Sequence, residues 1–144
     1  MRSYAYPCTV SEIAPEDHQV VFADFPEVVT GGPDLPTALA EAPDALAAVV
    51  EVYLQTRRAL PAPRPAGPGE HEVAIPPALA ARAILLAAMQ EQALSKVALA
   101  QRMGRDEKVA RRVVSGSGAS LELTLEALRA VGVRAGLAVP ERLA

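Results

Sequence analysis

Apolar and polar positions change their period along this chain, and the changes mark its organisation. Over residues 3–10, Tyr4, Tyr6, Cys8 and Val10 recur at every second position, which predicts a strand with one buried face. Pro, Glu and Asp within 14–17 predict a turn. Residues 19–24 (QVVFAD) read as a second strand and 28–30 as a third, ending at Gly31-Gly32. The period then lengthens. Leu39, Ala42, Leu46, Val49, Val50 and Tyr53 recur at three- and four-residue steps, so one stripe of a helix can lie on the sheet. Asp34 is placed to cap that helix, with Leu35 or Pro36 as its first residue. Pro43 falls inside it. A proline there removes one hydrogen bond and costs about 3 kcal/mol, so a kink or a late start is expected.

Residues 61–69 (PAPRPAGPG) hold four prolines and two glycines and predict a semi-rigid spacer between a first unit, 1–60, and a second, 76–144. Residues 70–75 (EHEVAI) read as a short strand stopped by Pro76-Pro77, and the local sequence leaves open which unit it joins.

The second unit carries the sharpest pattern. Pro77 suits the first position of a helix running through Gln90, with Leu79, Ala83, Leu86 and Met89 as its stripe. Ser95 can cap a second helix, and KVALAQRMGRDEKVARRVVSG follows from Lys96. Two helices crossing steeply through a tight turn need a small residue at the crossing, a residue tolerant of positive φ in the turn, and apolar positions facing back. Ala100, Gly104, and Val109 or Ala110 with Val113 meet those needs, Leu99 and Met103 complete a small core, Asp106 caps and Gly116 terminates. This predicts a helix-turn-helix whose second helix turns Glu107, Lys108, Arg111 and Arg112 outward, where arginine can grip guanine and a carboxylate can accept from cytosine. Lys96 and Arg105, at helix starts, are expected near phosphates. The bland alternative is a helical hairpin with a solvated arginine face. Ser120 predicts a cap for a further helix, 121–131, with Leu121, Leu125, Leu128 and Val131 on its apolar edge before Gly132, and 134–139 a last short strand.

Composition narrows the chemistry. The chain has 144 residues, of which 51% are hydrophobic, but 29 of these are alanine against five aromatics, so cores are small and helices approach closely. Its longest uncharged apolar run, 83–89, is far short of the roughly 20 residues that span a bilayer. Arg2 has no apolar block or cleavage site behind it, so no secretory signal is expected and the chain reads as soluble and cytoplasmic. One cysteine excludes an intramolecular disulfide, and Cys8 reads as a small buried hydrophobe. With two histidines, His18 and His71, both read as incidental surface residues, no metal site, cofactor or catalytic residue is expected. The net charge of −3 conceals an asymmetry. Residues 1–60 hold three basic and nine acidic side chains (−6), whereas 61–144 hold eleven and eight (+3), with +4 in 94–116 alone. This asymmetry points to two partners of opposite charge, against the alternative that fourteen basic residues cluster by chance.

The stretch QVVFADFPEVVTGGPDLPTALAEAPDAL resembles the N-terminal domain of HicB-type antitoxins, in which an aromatic-Pro-acid step and a Thr-Gly corner precede a helix. Phe25, Pro26, Glu27, Thr30, Gly31, Leu39, Ala40, Ala45 and Leu46 fit those positions. AIPPALAARAILLAAMQEQALSKVALAQRMGRDEKVARRV is similar to the helix-turn-helix subtype of that family. The resemblance implies an α+β chain: a β-β-β-α(-β) partial ribonuclease-H-like domain without nuclease activity, then an all-α DNA-binding and dimerisation domain. It further implies binding to HicA, a small basic mRNA-cleaving toxin, repression of the toxin–antitoxin operon through operator DNA, and assembly as a homodimer or tetramer. Asp24, Phe25, Glu27 and Asp34 are the expected toxin contacts, against the alternative that the acids only keep the surface soluble. A stand-alone regulator with a ligand-sensing first domain is the competing class. Hydrolysis of RNA would need a second pair of carboxylates beside Asp24 and Glu27, and none is convincing.

Overall fold

Alternation over the first 32 residues produces three antiparallel strands, β1 (Ala5–Ala14), β2 (Asp17–Phe22) and β3 (Phe25–Gly32). The computed structural model describes residues 3–138. Tyr6, Cys8, Val20, Phe22, Phe25 and Val28 of these strands are buried with Ala38, Ala42, Leu46, Val50 and Tyr53 of α1 (Leu35–Gln55), so the sheet and one helix stripe share a core. Leu39 and Val49, expected on that stripe, are only partly buried against it. Asp34 caps α1 by accepting from the Thr37 amide at 2.8 Å, and Pro36 lies in its first turn.

Pro43 neither delays nor interrupts α1, which starts at Leu35 and runs 21 residues. The late start does not occur because Ala38 and Ala42 before the proline, and Leu46 and Val50 after it, are all buried in one core. Packing on both sides outweighs one missing hydrogen bond. Gly31 and Gly32 serve close approach. A Cβ on Gly31 would overlap the His18 carbonyl oxygen, and one on Gly32 would lie 2.8 Å from the Ala38 amide nitrogen.

The proline-rich stretch departs from expectation. The chain divides into compact units at Met1–Ala80 and Ala81–Ala144, so residues 61–69 lie inside the first unit rather than between two. Side chains hold that stretch down. The Tyr6 hydroxyl donates to the Pro61 carbonyl at 2.9 Å, and burial pushes that hydroxyl's pKa up to about 12, so it stays a donor. Arg64 pairs with Asp24 at 3.3 Å and forks onto both oxygens of Glu70 at 3.1 Å, while the Gly67 amide donates to Glu70 at 3.0 Å. β4 (His71–Ala74) then joins β1 antiparallel, Ala5 opposite Ala74 and Cys8 opposite His71. The sheet order is β3-β2-β1-β4, which places residues 71–74 in the first unit.

Four helices follow: α2 (Pro77–Glu91), α3 (Lys96–Met103), α4 (Glu107–Ser115) and α5 (Leu121–Ala130). Leu79 joins the first core, whereas Ala81, Leu85, Ala88 and Met89 join the second, so Leu85 and not Leu86 is fully buried. α5 buries Thr124, Ala127 and Leu128, followed by Val131, while Leu121 is exposed and Leu125 only partly covered. The Thr124 hydroxyl donates to the Ser120 carbonyl at 3.0 Å, which permits its burial. Residues 134–138 form no strand, and Val139 lies outside the described residues. No helix among the described residues is long and apolar enough to cross a membrane.

Three carboxyls of the first unit sit below the usual carboxylate range: Glu27 through the Tyr53 hydroxyl, Asp34 through the Thr37 side chain and amide, and Glu70 through Arg64 and the Gly67 amide. A carboxyl with a lowered folded pKa stabilises the fold above its unfolded value, about 4, and loses that contribution as pH falls through the folded one. Thermal unfolding followed from pH 7 to 3 is therefore expected to show a falling midpoint in the acid range. Glu27→Gln and Glu70→Gln should flatten the decline, and an unchanged slope in both would contradict the assignment.

Candidate functional site

Helices α3 and α4 are separate, joined by a turn over residues 104–106. Each begins on a side-chain cap: Ser95 accepts from the Ala98 amide and Asp106 from the Lys108 amide, both at 3.1 Å. Each ends on a glycine in the left-handed region, Gly104 (φ 65) and Gly116 (φ 75). Leu99 and Ala100 of α3 meet Ala110 and Val113 of α4 and Ala127 and Leu128 of α5 in one buried cluster, with Met103 partly covered. Val109 is only partly covered, so Ala110 is the residue turned inward. Because small residues form the inner edge of α4, its outer edge is fixed: Lys108, Arg111 and Arg112 are all exposed.

The six expected contact residues differ in how free their charges are. Lys96 is exposed at the first position of α3. Arg111 pairs with Glu107 one turn earlier at 2.5 Å, and Glu107 is half-buried. Arg105 lies in the turn rather than at a helix start, and its guanidinium forks onto Glu126 of α5 at 3.2 and 3.0 Å. Lys108 and Arg112 make no ion pair with another described residue. The free positive charge thus concentrates on one edge of α4, one turn apart.

Two supporting side chains escaped the sequence reading. Arg82 of α2 is buried with its guanidinium against Gly116, at the carbonyl end of α4, where a cation complements the helix dipole. An arginine within an otherwise apolar, alanine-rich helix was its only signal. Gln92 accepts from Arg102 at 2.8 Å and donates to the Val131 carbonyl at 2.9 Å, tying α3 to the end of α5. No pattern in the sequence marks that pairing.

In the first unit the expected acidic contacts have internal partners. Glu27 accepts from the Tyr53 hydroxyl at 2.8 Å and from Arg58 at 2.9 Å, and Arg58 lies 4.1 Å over the Tyr53 ring. Asp24 pairs with Arg64, and Asp34 caps α1. Phe25 is fully buried between Tyr6 and Tyr53, so it is a core residue and not a contact. His18 and His71 are half-buried strand residues rather than surface ones. Cys8 is buried, and that burial raises its thiol pKa. No cluster of three or more potential metal-ligating side chains occurs among the described residues.

Residues 5–92 match a family model described as HicB_like antitoxin of bacterial toxin-antitoxin system. The chain is 36% identical over 114 residues to Antitoxin HicB 2 of Photorhabdus laumondii, covering 78% of this chain and 81% of that protein. It is also 30% identical over 113 residues to Antitoxin HicB 1 of the same organism, covering 78% and 72%. With Antitoxin HicB of Escherichia coli K12 the identity is 28% over 103 residues, covering 72% and 75%.

The two glycine caps of α3 and α4 should differ in their tolerance of a side chain. Both have positive φ, which costs an alanine about 1–2 kcal/mol. A Cβ at Gly104 meets nothing within 4 Å, whereas one at Gly116 would overlap the buried Arg82 guanidinium. Gly116→Ala is expected to destabilise the second unit more than Gly104→Ala in urea unfolding. Equal losses would mean that Arg82 does not brace the end of α4.

Proposed function

Since the chain belongs to the HicB-like antitoxin family, we propose that it neutralises a HicA-like mRNA-cleaving toxin and represses its own operon by binding operator DNA, acting in the cytoplasm as a homodimer or tetramer without catalysis. The first unit is the toxin-binding part, a partial ribonuclease-H-like domain. The second, from Ala81 onward, is a helix-turn-helix and dimerisation domain.

One observation carries the DNA half of this reading: α4 is buried on Ala110 and Val113 and bare on Lys108, Arg111 and Arg112. A short helix capped at Asp106 and braced at Gly116 can enter a major groove as a rigid rod, its arginines reaching base edges. Lys108 and Arg112 need break no ion pair with another described residue to do so, and Lys96 approaches phosphate from the start of α3. Arg111 would exchange Glu107 for its target, leaving Glu107 free to accept from a cytosine amino group. Arg105 would have to leave Glu126 to reach a phosphate.

The toxin half rests on family membership and on charge. Residues 3–56 contain nine acidic side chains and no lysine or arginine, a field that attracts a basic ribonuclease and raises its association rate. Asp24, Glu27 and Asp34 contribute to that field while keeping their internal partners.

A variant carrying both Arg111→Ala and Arg112→Ala is expected to abolish operator band shifts while toxin neutralisation persists. Loss of both activities together would break the two-module reading, and retained band shifts would remove α4 from the interface. Wild-type operator affinity should also fall steeply between low and moderate salt, as phosphate contacts release counterions. A flat response would exclude binding driven by the basic edge.

A further inference from the structure

The acids expected as toxin contacts, Asp24, Glu27 and Asp34, are engaged internally, yet the sheet of the first unit leaves an apolar surface open. α1 covers the face that carries Val20 and Phe22. Alternation about the Val20–Thr30 pair turns Val21 and Val29 the other way, onto the side of Gln19 and Gly31. There Val29 is 84% exposed and Val21 43%, and Ile13, at the bulge of β1, is 57% exposed. Ile13 and Val29 line one shallow depression with Gln19 and Gly31, and Glu16 and Asp17 stand at its rim. β3 is also an edge strand, and beyond Pro26 and Glu27 it has none of the lysines or prolines that usually blunt such an edge. An apolar centre with a charged rim beside an open strand edge has the composition of a protein interface.

We propose that the open face of β1-β2-β3, centred on Val29 with Ile13 and Val21, is where the first unit takes its basic toxin partner. This rests on the antitoxin reading and adds to it the location and the apolar character of the contact. Charge selects the occupant. The unit holds eleven acidic side chains against four basic ones, so a second copy would set net negative charge against net negative charge, whereas a basic protein finds attraction around the rim and apolar burial at the centre.

Val29→Asp tests this because it removes apolar contact while making the surface more attractive to a cation. Full-length protein is titrated with a catalytically inactive HicA-like toxin from the same operon, alongside Val52→Asp, an exposed valine of α1 in the same unit. Binding at least tenfold weaker for Val29→Asp, with Val52→Asp within twofold of wild type, is the expected result. Val29→Thr keeps the β-branched shape, controls for strand stability and should fall between. Unchanged or tighter binding by Val29→Asp places the contact elsewhere and leaves the antitoxin reading standing. Failure of the wild type to bind overturns both. A changed mass of the antitoxin alone, with toxin affinity intact, would show that a second copy covers this face and would overturn the assignment to toxin.

Discussion

Three aromatic rings hold the first unit together. Tyr6 of β1 meets Phe25 of β3 edge-on, centroids 4.7 Å apart, and Phe25 meets Tyr53 near the end of α1 at 5.3 Å. In a chain with so few aromatics, these contacts supply large buried area and orientation at once, fixing strands from both sides of β2 and the far end of the helix in one register. Both tyrosines pass the constraint outward through their hydroxyls. Tyr6 pins the start of the proline-rich stretch at Pro61, and Tyr53 holds Glu27, which in turn holds Arg58. The negative charges nearest this cluster are thereby committed to the fold, which leaves apolar side chains of the opposite face as the uncommitted part of the sheet.

The second unit solves a different packing problem. With no aromatic residue in it, helices must approach over methyl groups, and Ala100, Ala110 and Ala127 occupy the buried positions where larger side chains would hold α3, α4 and α5 apart. Close packing of small residues gives little area per contact, so the ends of the helices matter more. They are specified by Ser95, Asp106 and Ser120 at the starts and by Gly104 and Gly116 at two of the stops, with Arg82 braced on the last. Arg105 to Glu126 and Gln92 to Arg102 then tie the turn and α3 to their neighbours at the surface. The result is an α4 whose position is set from inside, so its outer charges can serve recognition without also holding the helix in place.

What could be read from the residues follows from how local each cause is. A cap acts over three residues, so Asp34, Ser95, Asp106 and Ser120 were all legible, as were the two glycine stops. Stripe assignment failed where neighbouring positions are equally apolar: Leu85 and Leu86 both satisfy a helical period, and only contact with the second core separates them. The late start that Pro43 suggests does not occur, because its local cost is plain and the opposing burial is not local. The stretch 61–69 misled for the same reason, since Arg64 meets Asp24 across forty positions of sequence. Family resemblance brought the antitoxin assignment that no spacing contained, and the Ile13–Val21–Val29 surface went unnoticed because an exposed valine in a strand looks like any other.

Charge segregation gives these pieces a common logic. From Ser3 to Thr56 the first unit has no lysine or arginine to neutralise its acids, while six basic residues gather in 94–116, on and around α4. Such an arrangement weakens each unit slightly through self-repulsion, and it also keeps either surface from being satisfied by its own kind. Under the proposed function a basic partner would be drawn to the sheet and repelled by α4, and a polyanion would be drawn to α4 and repelled by the sheet. At contact range the two surfaces differ: the sheet exposes Ile13, Val21 and Val29, whereas α4 exposes Lys108 and Arg112, which make no ion pair with another described residue.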